Sequence, residues 1–262
     1  GVGDQVFHSK FLRALRSTHT HVACVTVDDR LLAAYQRSFP GMRFLAQSKR
    51  PELQPAHFDM QMGMADLAAL LSLDPASDLK IRPPTLIIDP ARPSFLPALG
   101  RSKPIVGLSW KSANAKNSAD KSMSLMELMT GLKDLDVEWV NLQYGDVKDD
   151  IAAIAAHLGI AIRSIPELDI FHDLEGLMHL IHECDFVVSS SNSTAHFAGA
   201  LGKSGAVIVP FNKGKLWYWH MNDGPSPWYP SLNIIHCQAQ NDWSGAISDV
   251  NQLIRKHLGT PH

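Results

Sequence analysis

Asp185–Gly202, DFVVSSSNSTAHFAGALG, is the stretch whose reading decides the fold. After Asp185 the apolar run Phe186-Val187-Val188 shows no alternation, as in a strand covered on both faces. Six small hydroxyl or amide residues follow, Ser189 to Thr194. Ala195, Ala198 and Leu201 then fall at helical spacing, and Gly202 can close the helix in a left-handed conformation. A strand that runs through small polar residues into a helix offers backbone N–H groups and a positive dipole end, which suits a phosphate or pyrophosphate. The plainer reading is an N-capped helix, since Ser, Asn and Thr are preferred caps. One cap needs one such residue, and here there are six.

Working outward, strand-like and helix-like patterns alternate. His21–Val27 and Arg43–Ala46 read as strands, with helical pieces over Arg30–Ser38 and Ala65–Leu71. Six prolines between Ile81 and Pro104 suit an extended connection, because proline lacks an N–H and fixes φ. The domain boundary is placed there, giving domains 1–98 and 99–262. Beyond it come strands Ile105–Trp110, Val137–Gln143, Ile160–Ser164 and Ala206–Val209, with helices Leu125–Leu132, Lys148–His157, Leu174–His182 and Ala246–Leu258. Repeated strand–helix units predict an α/β, doubly wound parallel sheet, with ligands beyond the carboxyl ends of the strands.

Composition sets the class. The chain has 262 residues, 45% hydrophobic and 19% charged, as in an ordinary globular protein. A net charge of −2 gives no electrostatic case for nucleic acid or an anionic membrane surface. No apolar run approaches the roughly 20 residues of a membrane span. Cys24, Cys184 and Cys237 are isolated, which favours reduced thiols and a cytoplasmic protein. The chain opens Gly1-Val2-Gly3-Asp4-Gln5 without an initiator Met, and is read as a fragment or internal domain whose first strand either lies upstream in a longer parent or was removed.

The strand ends carry the polar chemistry. Lys111 to Ser122 is a polar loop with three lysines. Lys121, next to the following helix, is the cation best placed to face a diphosphate. Gln143 and Tyr144 end another strand, where they either hold a base or ribose or fill a turn. Asp4 precedes a helix with Val6, Phe7, Phe11 and Leu15 on one stripe, so it reads either as the N-cap or as a general base. His196 either donates to a phosphate or packs in the interior. His172, His179 and His182 lack a completing Cys, Asp or Glu set, and no metal site is read. The tryptophan-rich segment Trp217–Trp228 either stacks on sugar rings or closes a core or interdomain seam.

Several motifs, in order, resemble the heptosyltransferase-like glycosyltransferases of family 9. They are Gly1–Gln5, Val106–Ser112, Lys121-Ser122, Val140–Asp146, Ser191–Lys203, Trp217–Trp219, Ser226–Pro230 and Asp242-Trp243. The branch joined to upstream tetratricopeptide repeats is the most similar. Ser191-Asn192 stands where the family usually has Asp-Thr, and Lys111 and Tyr218 where arginine is commoner. The resemblance implies a GT-B fold, two Rossmann-like domains, the N-terminal one short and missing its first strand. It implies an inverting transfer from a nucleotide-sugar donor to a glycan or protein hydroxyl, with the nucleotide sugar as substrate and neither cofactor nor metal. Asp4 matches the family's catalytic base. Lys111, Ser112, Lys121, Ser191, Asn192, Ser193, Thr194 and His196 would hold the diphosphate side of the donor, and Gln143 and Tyr144 would lie by the nucleoside. A non-catalytic nucleotide- or sugar-binding module and a sugar-nucleotide hydrolase or epimerase are the alternatives on the same fold.

Overall fold

The computed structural model describes residues 1–18, 24–54, 58–71, 84–96, 102–112, 122–219 and 222–259. Lys121 and most of the polar loop before it, together with the start of the His21–Val27 strand, lie outside the described residues.

The chain folds as an α/β structure around a seven-stranded sheet. Its strands are β3 (Ile105–Ser109), β4 (Glu138–Asn141), β5 (Ile162–Arg163), β6 (Phe186–Ser190), β7 (Gly205–Val209), β8 (Gly224–Pro225) and β9 (Leu232–His236). The order is β5-β4-β3-β6-β7-β9-β8, parallel throughout except for the β8–β9 pair. A separate two-stranded parallel sheet joins β1 (Val25–Val27) to β2 (Phe44–Ala46) near the N-terminus.

Burial explains why the central strands read as unbroken apolar runs. Helices α5 (Leu125–Leu132), α6 (Lys148–Leu158) and α9 (Ser244–Leu258) cover one face, over Val106, Leu108, Trp139, Val188 and Ile208. Helices α7 (Leu174–Glu183) and α8 (Ser193–Ala200) cover the other, over Val140, Val187 and Val207. That second core continues without a break into the N-terminal part, through α1 (Val2–His8), α2 (Lys10–Thr18) and α3 (Leu32–Ser38), with the short α4 (Leu67–Leu70) at its margin. The N-terminal part therefore shares its core with the larger sheet.

The proline-rich connection runs along that seam. Thr85 and Leu86 donate backbone N–H groups to the Ala200 carbonyl. Phe95 and Leu96 donate to the Glu183 carboxylate at 3.1 and 2.9 Å. Toward the N-terminal part, Ile87 donates to Ser38 Oγ at 2.9 Å, and Arg37 donates to the Ile87 carbonyl at 2.9 Å.

Two local expectations need correction. Gly1, not Asp4, is the N-cap of α1, and Asp4 sits within the first turn. The helix it opens is bent at Ser9, whose hydroxyl donates to the Val6 carbonyl at 2.7 Å and sets α1 off from α2. Strand β9 went unrecognised, although Ile234-Ile235 between Pro230 and Cys237 is the kind of short β-branched run that fits a covered strand. Gly202, at φ 72°, does take the left-handed conformation just beyond α8.

Candidate functional site

The carboxyl ends of β3, β4 and β6 meet at one edge, where side chains from three strands tie the loops together. Asn192 caps α8, its Oδ1 accepting from the Thr194 N–H at 2.9 Å and from Ser189 Oγ at 3.0 Å. Its Nδ2 donates to Ser109 Oγ at 2.8 Å, to the Lys111 carbonyl at 3.0 Å and to Ser190 Oγ at 3.2 Å. Gln143 closes the other side. Its Oε1 accepts from the Trp110 and Lys111 N–H groups at 2.9 and 2.7 Å and from Ser109 Oγ at 3.2 Å. Its Nε2 donates to the Tyr144 carbonyl at 3.1 Å. Both amides are buried and act as clamps that fix the strand ends.

The other expected donor residues divide. The Lys111 ammonium is paired with Asp150 in the first turn of α6, and the Ser112 N–H donates to Ser122 Oγ at 3.1 Å. Tyr144 is half-buried and its ring lies 6.1 Å from the exposed ring of Phe171. Ser193 and Thr194 open α8 as the sequence suggested. Among the described residues, Ser191 Oγ and Thr194 Oγ1 are buried without a hydrogen-bond partner.

His196 is 2% exposed. Its Nδ1 lies 3.2 Å from the Tyr229 hydroxyl and its Nε2 3.3 Å from the Tyr218 hydroxyl. A neutral imidazole has one N–H and one bare nitrogen, so one phenol accepts and the other donates. Trp219 stacks on the same ring at 5.2 Å. Both nitrogens therefore face tyrosines.

Helix α1 brings the N-terminal part to this place. A Cβ on Gly3 would lie 3.0 Å from His196 Cδ2 and 3.5 Å from Ser193 Cα, so the absence of a side chain at Gly3 eases the close approach of α1 to the start of α8. Asp4, next in sequence, is 60% exposed. Burial first, and the Asp4 charge second, hold the Tyr218 phenol above its ordinary value. Asp4 is therefore within electrostatic reach of the His196 surroundings.

Sequence reasoning missed Lys10, which the aromatic segment it did single out helps to enclose. Phe7 is fully buried, its ring against His196, Trp217, Tyr218, Trp228 and Tyr229. Lys10 Nζ sits 4.1 Å from the Phe7 and Tyr229 ring centroids and 5.1 Å from that of Trp228, and donates to the Trp228 carbonyl at 3.3 Å. Trp219 and Trp228 thus close the seam, whereas Trp217 is 58% exposed. A lysine on the apolar stripe of an N-terminal helix was the available signal.

This fold is that of the GT-B glycosyltransferases. The structure of a glycosyl transferase family 9 protein from Veillonella parvula aligns with a TM-score of 0.61 at 10% identity, covering 99% of this chain and 94% of that one. ADP-heptose lipopolysaccharide heptosyltransferase II of E. coli aligns at 0.57 and 14% identity, covering 98% and 95%. An E. coli heptosyltransferase with ADP-2-deoxy-2-fluoro heptose aligns at 0.54 and 13% identity, covering 98% and 96%. In sequence, Protein FlbA of Caulobacter vibrioides is 28% identical over 274 residues, which is 97% of this chain and 45% of FlbA. The chain thus spans less than half the length of that relative. No family model matches the chain. No helix among the described residues is long and apolar enough to cross a membrane.

Proposed function

We propose that this chain is an inverting glycosyltransferase, moving a sugar from a nucleotide-diphosphate-sugar to a hydroxyl on a glycan or protein. The observation that carries the reading is the start of α8. A helix N-terminus stands at the carboxyl end of a central parallel strand, with two buried hydroxyls, Ser191 Oγ and Thr194 Oγ1, that have no partner among the described residues. The first turn of α1, carrying Asp4, packs against it.

In this reading the diphosphate lies on the α8 start, where the helix dipole and N–H groups face its charge. The acceptor oxygen attacks the anomeric carbon as its proton passes to the Asp4 carboxylate. The bond from that carbon to the diphosphate oxygen breaks, and the nucleotide leaves with the electron pair. One displacement inverts the anomeric configuration. The negative charge that builds on the leaving oxygen is stabilised by donors already in place, with no metal required. Lys121 would add a cation, and Tyr144 beside Phe171 a surface for the nucleoside.

Calorimetry against ADP, UDP, GDP and CMP, without added metal, tests the donor site. ADP comes first because a neighbouring fold carries an ADP-sugar. One nucleotide should bind the wild type and Asp4→Asn alike, with transfer lost in the variant. Binding of none of them refutes the reading. Binding with full transfer in Asp4→Asn removes Asp4 from the chemistry, and binding without any transfer activity favours a non-catalytic module.

A further inference from the structure

We propose that the loop between β7 and the Trp217–Trp219 turn is part of the anion site, with Lys213 and Lys215 supplying the cations that hold a diphosphate against the α8 start. This rests on the donor-site reading above.

Both ends of the loop are tied to that helix. Ser190 pairs with Ile208 across the parallel ladder, so the chain leaving Val209 emerges beside the Ser191-Asn192 turn. It returns through Leu216, whose carbonyl accepts from the Trp219 N–H at 2.9 Å. Tyr218 then reaches His196 in the first turn of α8, with Trp219 stacked on the same ring. A segment fastened at the turn before the helix and again one turn inside it spans the helix start.

That span carries Lys213 and Lys215 between exposed Phe211 and exposed Trp217. Lys213 is exposed and Lys215 half-buried, and among the described residues neither pairs with a carboxylate. Asn212 at φ 54° and Gly214 at φ 77° flank Lys213, which fixes a tight local course through left-handed positions. Lys111, by contrast, already has Asp150. Ser191 Oγ, in the turn that this span starts beside, and Thr194 Oγ1, in the first turn of α8, are buried without a hydrogen-bond partner among the described residues. An anion seated there meets helix N–H groups, hydroxyls and ammonium groups together, the combination that phosphate recognition uses.

Two measurements on the whole chain test this. The first is acetylation footprinting of Lys213 and Lys215 by mass spectrometry, with and without inorganic pyrophosphate. The second is calorimetry of ADP, UDP and GDP on the wild type, on Lys213→Ala/Lys215→Ala and on the equal-charge control Lys133→Ala/Lys256→Ala. Pyrophosphate should slow acetylation of both lysines. The loop variant should weaken the nucleotide that binds by about 10- to 100-fold, as expected for charge-assisted contacts, while the control changes it little. Nucleotide binding unchanged in the loop variant, with both lysines unprotected, overturns this inference and leaves the glycosyltransferase reading standing. Protection by pyrophosphate without binding of any nucleotide supports the anion site and overturns the glycosyltransferase reading. Neither protection nor binding overturns both.

Discussion

Lys10→Met should stabilise this protein, and the size of the gain follows from the surroundings of Lys10. Lys10 is 2% exposed. It keeps one carbonyl acceptor at 3.3 Å, two rings at 4.1 Å and a third at 5.1 Å. A desolvated cation over aromatic faces recovers about 2 kcal/mol, and a charged hydrogen bond about 1.5–3 kcal/mol. Taking the ion out of water costs several kcal/mol. Burial dominates, and the lysine is held well below its ordinary value. Between that lowered value and the ordinary one, the unfolded chain binds a proton that the native state does not. Native stability therefore rises with pH across that window, by up to about 1.4 kcal/mol per unit, and levels off near pH 10.4. Methionine fills a similar volume without charge, so Lys10→Met should gain about 1–3 kcal/mol at pH 7. The gain should shrink toward pH 10. Urea denaturation of both proteins from pH 6 to 10 measures this, and the difference between the two curves isolates Lys10 from the tyrosines and cysteines that also titrate. A variant less stable by more than 1 kcal/mol at pH 7, with curves parallel across the range, would refute the reasoning.

Three further outcomes are expected. A Cβ on Gly199 would stand 2.8 Å from Tyr229 Cδ2 and closer still to Cγ, so Gly199→Ala should cost about 3 kcal/mol. Gly245 in α9 has open space around it, and Gly245→Ala should instead gain about 0.5–1 kcal/mol, both read from thermal melts. Asn192→Ala removes the α8 cap and the amide that joins β3 to β6; urea titration should show a loss of about 2–3 kcal/mol, with nucleotide binding weakened as well. Burial pushes the Cys237 thiol up to about 12, so at pH 8 iodoacetamide should label half-buried Cys24 well before Cys237, read by peptide mass spectrometry.

The larger sheet was legible because its strands are covered on both faces and its helices carry one apolar face each. Leu125–Leu132 matches the expected helix at both ends, and Leu174–Glu183 and Lys148–Leu158 run one residue longer than expected. Strand β9 was missed because Asn233 and His236 interrupt its apolar run, and its length is that of a turn-bounded loop as much as a strand. The N-terminal part was harder for a different reason. Its stripe of Val6, Phe7, Phe11 and Leu15 gives the buried face of α1 and α2, but not the partner of that face. For Phe7 the partner proved to be the aromatic segment some 210 residues away in sequence, from Tyr218 to Tyr229. Periodicity reports that a face is buried, and only tertiary packing reports against what.

The polar residues were legible as a cluster, and their division of labour was not. The resemblance put Asn192 and Gln143 beside the donor, with core or turn filling as the alternative for Gln143, and their amides are committed to backbone and hydroxyl partners within the edge itself. Such commitment is what a phosphate site built on a helix start requires. Recognition by backbone N–H groups depends on where the turn is held, so the residues that hold it must be buried and fully hydrogen-bonded. In the proposed site the groups left for a ligand are Ser191 Oγ and Thr194 Oγ1, which have no hydrogen-bond partner among the described residues, and the Lys213 and Lys215 ammonium groups. Under the proposed function, this arrangement explains why hydroxyl- and amide-rich strand ends point to an anion while saying little about the sugar. The side chains most visible in the sequence position the backbone, and the backbone of any helix start presents the same N–H groups to any diphosphate.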